Sequence, residues 1–380
     1  MNAGRILLLA ACLFPALSLT AQSLDAEGFL RAGPGRTLEL PADHASHPET
    51  RTEWWYLTGP LTDSEGREYG FQATWFRRAL TLRASERASS MGVRDVMLFH
   101  GALTDLSTGR LLHAEATTRA WQPWGGASTE TLDVSVFENS LSSLPSEEGR
   151  TGSLFFDVEG TQVALQLDLA ASPVLFHGEE PGLSIKGHEP GQSSWYYTLP
   201  AIPVRGTLQF PDGSSRAVNG RAWMDHEFGS SQLSGGQVGW DWFSVVLNDD
   251  TALMLYQLRL QDGSADSTSS GTWAAPKAEP LHLGQEAFDV EILGSWTSPE
   301  SGATYPSGWR LSVPDQQLEL VVTPRLKEQE LITKSTGVTY WEGLCRFEGT
   351  RKGEPVAGEG YVELVGYADS ISDRFAPGSP

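Results

Sequence analysis

The stretch Glu53-Trp54-Trp55-Tyr56-Leu57 runs through Asp63-Ser64-Glu65-Gly66 into Tyr69-Gly70-Phe71-Gln72-Ala73-Thr74-Trp75-Phe76-Arg77. Aromatic residues suit a pleated surface and the polar Gly-containing interval suits a tight turn, so this block predicts a hairpin that closes on an arginine. The same plan returns in Gly239-Trp240-Asp241-Trp242-Phe243, a turn at Asn248-Asp249-Asp250, and Leu253-Met254-Leu255-Tyr256-Gln257-Leu258-Arg259. A degenerate repeat of this kind predicts two β units of similar plan. Elsewhere, turn signals such as Pro211-Asp212-Gly213 separate short apolar runs such as Val163 to Leu169 and Leu318 to Val322. Helical periodicity is nearly absent, and the expectation is an all-β chain built as sandwiches or barrels.

With 380 residues the chain is long enough for two packed units. The boundary is expected in the Gly- and Ser-rich stretch Gly229 to Gly236, giving units at 22–232 and 233–380; a second such stretch, Asp262 to Gly271, reads as a long hairpin loop. A formal charge of −21 lacks the basic surplus that neutralises phosphates, so no nucleic-acid partner is expected. A short positive start at Met1 to Arg5, the apolar run Ile6 to Leu19 and the exit Thr20-Ala21-Gln22 predict a signal peptide over residues 1–21 and an exported, periplasmic or secreted chain. Leu9-Ala10-Ala11-Cys12 also fits a lipoprotein cleavage pattern, although the apolar run continues past Cys12. After cleavage near Ala21 only Cys345 remains, which excludes an intramolecular disulfide.

The densest polar cluster is Trp223-Met224-Asp225-His226-Glu227-Phe228. In an extended strand Asp225 and Glu227 share a face with Trp223, while His226 points the other way with Met224 and Phe228. Two carboxylates among aromatic rings are costly when both are charged, which pushes one towards the neutral acid, a proton donor at neutral pH. The alternative is a strand end whose acids pair with an arginine such as Arg221 or Arg259. In the first hairpin, alternation groups Glu53 with Trp55 and Leu57, and Trp54 with Tyr56. Asp241 alternates with Phe243, Val245 and Leu247 and so is either buried with a partner or facing a cavity, while Trp240 and Trp242 line the opposite side. No Gly-Xaa-Ser-Xaa-Gly elbow, phosphate-cradling glycine loop, cysteine pair or His-Glu-Xaa-Xaa-His is present, so the sequence supports no serine-hydrolase nucleophile, cofactor or metal site.

The strings His47 to Gly59, Trp223 to Phe228, Gly239 to Phe243, and Tyr340-Trp341-Glu342-Gly343 with Gly360-Tyr361-Val362-Glu363-Leu364 resemble the exported lipocalin-like proteins grouped with carotenoid 1,2-hydratase and AttH. The resemblance runs in order from about residue 45 to 368. It implies two tandem lipocalin-like antiparallel β-barrels packed together and a large apolar ligand such as a lipid, isoprenoid or polyene. One implied role is a carrier or an accessory of an ABC-type export system. The other is a hydro-lyase that adds water to an isoprenoid double bond without a cofactor. Protonating such an alkene makes a tertiary cation, so that chemistry needs a neutral acid, aromatic faces and one admitted water. Asp225 is the expected acid, Glu227 or Glu53 would tune it and position water, and Trp54, Tyr56, Trp223 and Trp240 would form the aromatic wall. His226 and Asp241 complete the expected ligand-binding set.

Overall fold

The computed structural model describes residues 23–82, 92–144, 150–230 and 233–369. The expected leader at 1–21, Cys12 and residues 231–232 of the interval between the units lie outside them. Within the described residues no helix is long and apolar enough to cross a membrane. Helical segments there are three-residue 3₁₀ turns, and the remainder of the regular structure is antiparallel strand, so the chain is all-β.

One 13-stranded sheet is built from strands between Thr52 and Gly229, and a 10-stranded sheet from strands between Gln237 and Val365. In the first, strands Asp95–Asp105 and Arg110–Arg119 at one end of the order touch strands Gly125–Ala127, Asp133–Val136 and Thr151–Val158 at the other, so the sheet curls around its own core. The two hairpins of the sequence repeat hold equivalent places. Thr52–Asp63 lies between Glu68–Ala79 and Ser215–Gly229, and Gln237–Leu247 lies between Ala252–Leu260 and Glu354–Val365. Their turns need left-handed backbone, supplied by Gly66 at φ 79° and Asp250 at φ 60°, and Gly213 at φ 84° does the same between the longest strands, Ser193–Gln209 and Ser215–Gly229.

Each barrel has its own apolar centre. Trp55, Leu57, Trp75, Phe99 and Phe156 pack in the first, and Phe243, Trp309, Trp341 and Phe347 in the second. The opposite faces of the same strands are also covered: Tyr56, Tyr196 and Trp223 from the first barrel meet Trp242, Tyr340 and Tyr361 from the second. Burial on both faces is why the aromatic runs lack a clean polar alternation. Burying a large apolar side chain contributes about 1.5–3 kcal/mol, so this shared layer binds the barrels as a core does. Close approach requires Gly70, where a Cβ would stand 2.5 Å from Tyr361 Oη and 3.1 Å from Leu344 Cβ.

Candidate functional site

Strand register brings the polar residues of the first barrel to the layer between the barrels. Tyr56 pairs with Asp225 and Trp54 with Glu227, while on the other side of that strand Thr198 pairs with Asp225 and Tyr196 with Glu227. The face shared by Trp223, Asp225 and Glu227 therefore also carries Tyr56, Tyr196 and Thr198. From the second barrel Glu363 lies opposite both Trp242 and Glu342.

Asp225 is buried, and no Arg or Lys pairs with it among the described residues. Its Oδ2 accepts a hydrogen bond from Tyr196 Oη at 2.6 Å; its Oδ1 accepts from Trp223 Nε1 at 2.7 Å and from Thr198 Oγ1. Burial, helped by the nearby charge of Glu227, outweighs these donors and pushes its pKa up to about 7. Tyr196 Oη accepts in turn from Trp242 Nε1 at 3.2 Å, so a hydrogen-bonded chain crosses from one barrel to the other. A second chain runs from Thr198 Oγ1 to His177 Nε2 at 2.6 Å and from His177 Nδ1 to Thr272 Oγ1 at 2.7 Å. Burial and the charge of Lys186 keep His177 neutral. Thr198 donates to Asp225, so its oxygen accepts from His177 Nε2–H and the Thr272 hydroxyl donates to Nδ1.

Glu227 is held differently. Its Oε1 accepts from Ser194 Oγ at 2.5 Å and lies 3.2 Å from Lys186 Nζ, which sits 4.0 Å from the centre of the Tyr256 ring. Burial lowers the Lys186 pKa, but Glu227 and Tyr256 together, through charge and hydrogen bonding, more than offset this and keep the ammonium protonated. Glu363 Oε2 accepts from Trp240 Nε1 at 2.7 Å; burial and then the charges of Asp225 and Glu227 push its pKa to about 7. Glu342, directly across from it, has no hydrogen bond to Oε1 and is held well above the carboxylate range by burial and by Glu363. Asp225, Glu342 and Glu363 thus form a group of carboxyls without a cationic partner among the described residues. Beside them, the buried Tyr56 Oη lies against Glu342 and Thr58 Oγ1 without a hydrogen bond of good geometry. A cavity of about 490 Å³ opens between the barrels, lined by Thr58, Trp223, Ser244, Tyr361 and the rim arginines Arg221 and Arg346. Asp225 does not line it; Trp223 does, and its indole N–H is the one bonded to Asp225.

The structure does not bring every expected residue here. Glu53, grouped with Asp225 on the strength of the resemblance, is three positions from Tyr56 and so projects from the opposite face of its strand. There it is fully buried and accepts hydrogen bonds from Ser46 Oγ at 2.7 Å, His47 Nδ1 at 2.8 Å, Arg77 Nε at 2.9 Å and His226 Nε2 at 3.0 Å. Burial would raise its pKa, but the Arg77 guanidinium and the two histidines hold it well below the usual carboxylate range. His47 also meets Asp43, 2.9 Å from Nε2, and these two carboxylates overcome burial to raise its pKa. His226 therefore belongs to this node, as strand parity requires. His47, Glu53 and His226 place one ligand-type atom each within 4.8 Å of one another, but Arg77 occupies the second Glu53 oxygen and both His47 nitrogens face carboxylates, which describes a hydrogen-bonded ion-pair network. Asp241 also faces away from the shared layer, paired with Arg259 at 2.8 Å and with Tyr367 Oη at 2.9 Å. The residues brought together are Asp225, Glu227, Trp54, Tyr56, Trp223 and Trp240; Tyr196, Thr198, His177, Glu342 and Glu363 join them without having been singled out for the site.

A family model described as AttH-like matches residues 31–367. A crystal structure described as an AttH protein of Nitrosomonas europaea is 31% identical, covers 89% of this chain and 99% of its own, and superposes with a TM-score of 0.79. A kievitone hydratase of Fusarium solani subsp. phaseoli is 22% identical over 249 residues, which is 63% of this chain and 67% of that protein. The crystal structure of kievitone hydratase from Nectria haematococca shares the fold, with a TM-score of 0.66 at 18% identity over 87% of this chain and 93% of that one. Matched over nearly all of its described length, the chain belongs to the AttH-like family.

Proposed function

We propose that the layer between the barrels is a hydro-lyase site that adds water to the double bond of an apolar, isoprenoid-type substrate, with Asp225 as the acid. The observation that carries this is a buried carboxyl with no cation beside it and a pKa near 7, set among indole and phenol rings. The protonated Asp225 gives its proton to one alkene carbon and the π pair forms the new C–H bond. Trp223, Trp242 and Tyr56 present aromatic faces to the resulting tertiary cation. Water adds to that cation, and the Asp225 carboxylate recovers the proton that water loses, so the sum is alkene plus water. The substrate enters through the 490 Å³ cavity, and Trp223 gives up its hydrogen bond to Asp225 as it does so. The relative named a hydratase supports the reaction class. The carrier reading uses the same cavity but gives no reason to bury three carboxyls without a cationic partner, which is costly for each.

Incubating the purified protein with an isoprenoid alkene in H₂¹⁸O tests this. The expected product is heavier by one water that carries ¹⁸O, formed at a rate that falls as pH rises through about 7 because the acid must be protonated. Recovery of unreacted alkene bound to the protein would overturn hydration in favour of carriage.

A further inference from the structure

Beside the Glu53–Arg77 node of the first barrel, outside the layer of acids, lies a second cavity of about 320 Å³ whose wall reaches Ser46 and Arg77. Its wall includes Trp121, Met97, Gln122, Gly126, Arg94 and Asp133. Trp121 of this wall is 48% exposed, and Trp124 on the same turn is 46% exposed, large apolar groups that solvent contact disfavours. They sit on one closed turn, with Trp124 N bonded to Trp121 O at 2.8 Å and Trp121 N to Gly125 O at 2.9 Å. The Arg119 guanidinium lies 5.8 Å from one ring and 5.3 Å from the other, which fixes their faces. Arg94 donates from Nη2 to Pro48 O at 3.0 Å, and its Nε faces Asp95 Oδ2 in an ion pair at 3.6 Å.

We propose that this cavity is a binding site for a neutral carbohydrate. Its volume lies at the small end of the range for ligand sites, about 300–1,000 Å³. The wall mixes an indole face with a carboxylate, a guanidinium, an amide and the hydroxyls of Ser128, Thr129 and Ser135. Arg77 and Arg94 are both paired with Asp95, so the wall offers no surplus of either charge to an ionic ligand. A sugar ring suits such a wall: its hydroxyls donate to Asp133 and accept from the Arg94 guanidinium and the Gln122 amide, and its C–H face lies on Trp121.

Calorimetric titration of the full chain with a panel of neutral hexoses, N-acetylhexosamines and their disaccharides tests the site. Saturable binding by at least one panel member is expected, with a Kd of about 1 mM or tighter. Trp121→Ala is expected to weaken it at least ~10-fold, about 1.4 kcal/mol. Gly126→Leu is expected to abolish it by filling the cavity, since a Cβ there meets only Gln122 Nε2, at 3.9 Å. Both variants are expected to leave alkene hydration unchanged. Absence of saturable binding across the panel would overturn the proposal. So would binding that survives both substitutions, or light scattering that shows the Trp121–Trp124 turn joining two copies of the chain.

Discussion

Replacing Asp225 with Asn is expected to lower alkene hydration by about 10²–10⁴-fold, the range associated with a positioned acid. Asn keeps the size of the side chain; its Oδ1 can still accept from Thr198 and Trp223 while its Nδ2 donates to Tyr196 Oη, so the fold is expected to survive. What it removes is the transferable proton. Circular dichroism and thermal unfolding alongside the rate would separate lost chemistry from lost structure. A folded Asp225→Asn protein with an unchanged rate would remove Asp225 from the mechanism. The companion substitution Glu363→Gln is informative because Glu363 has the same raised pKa but hydrogen-bonds Trp240, so a smaller effect from it would separate the two acids.

Arg77→Leu is expected to destabilise the first barrel by about 3–5 kcal/mol, because it leaves the fully buried Glu53 without its guanidinium. Two backbone carbonyls, of His47 and Thr50, also lose the donor at Arg77 Nη2. The combined substitution Glu53→Leu with Arg77→Leu is expected to recover part of the loss, since no uncompensated charge then remains at that pair. Denaturant unfolding of the two variants measures this, and a loss below about 1 kcal/mol for Arg77→Leu would contradict it. The sign with pH follows from Glu53 being held below its ordinary pKa. Its contribution is full above the unfolded value of 4.5 and is lost as pH falls through the lower folded value.

Much of this architecture is legible in the chain. The paired hairpins ending in Arg77 and Arg259 mark two related sheets, and in each an acid of the first strand meets that arginine: Glu53 with Arg77, Asp241 with Arg259. Strand parity also separates His226 from Asp225 and Glu227. By the same parity Glu53 and Tyr56 lie on opposite faces; grouping Glu53 with Asp225 set that aside. What parity leaves open is which face meets the other barrel. The cradle of Asp225 is equally hidden, because Tyr196, Thr198 and His177 come from remote chain and reach it only through the register of the long Ser193–Gln209 strand. Glu342 and Glu363 stand in strings that the resemblance uses, yet nothing local says that they face each other across two strands. Arg259, a candidate partner for the acids of the first unit, is taken by Asp241 within the second.

The account depends on Asp225 keeping its proton near neutral pH inside the shared layer. A carboxyl ¹³C NMR titration of aspartate-labelled protein, with the Asp225 signal assigned by its absence in Asp225→Asn, measures this directly. A midpoint at about 7 is the predicted result. A signal that titrates near the ordinary aspartate value of about 3.9 would contradict it.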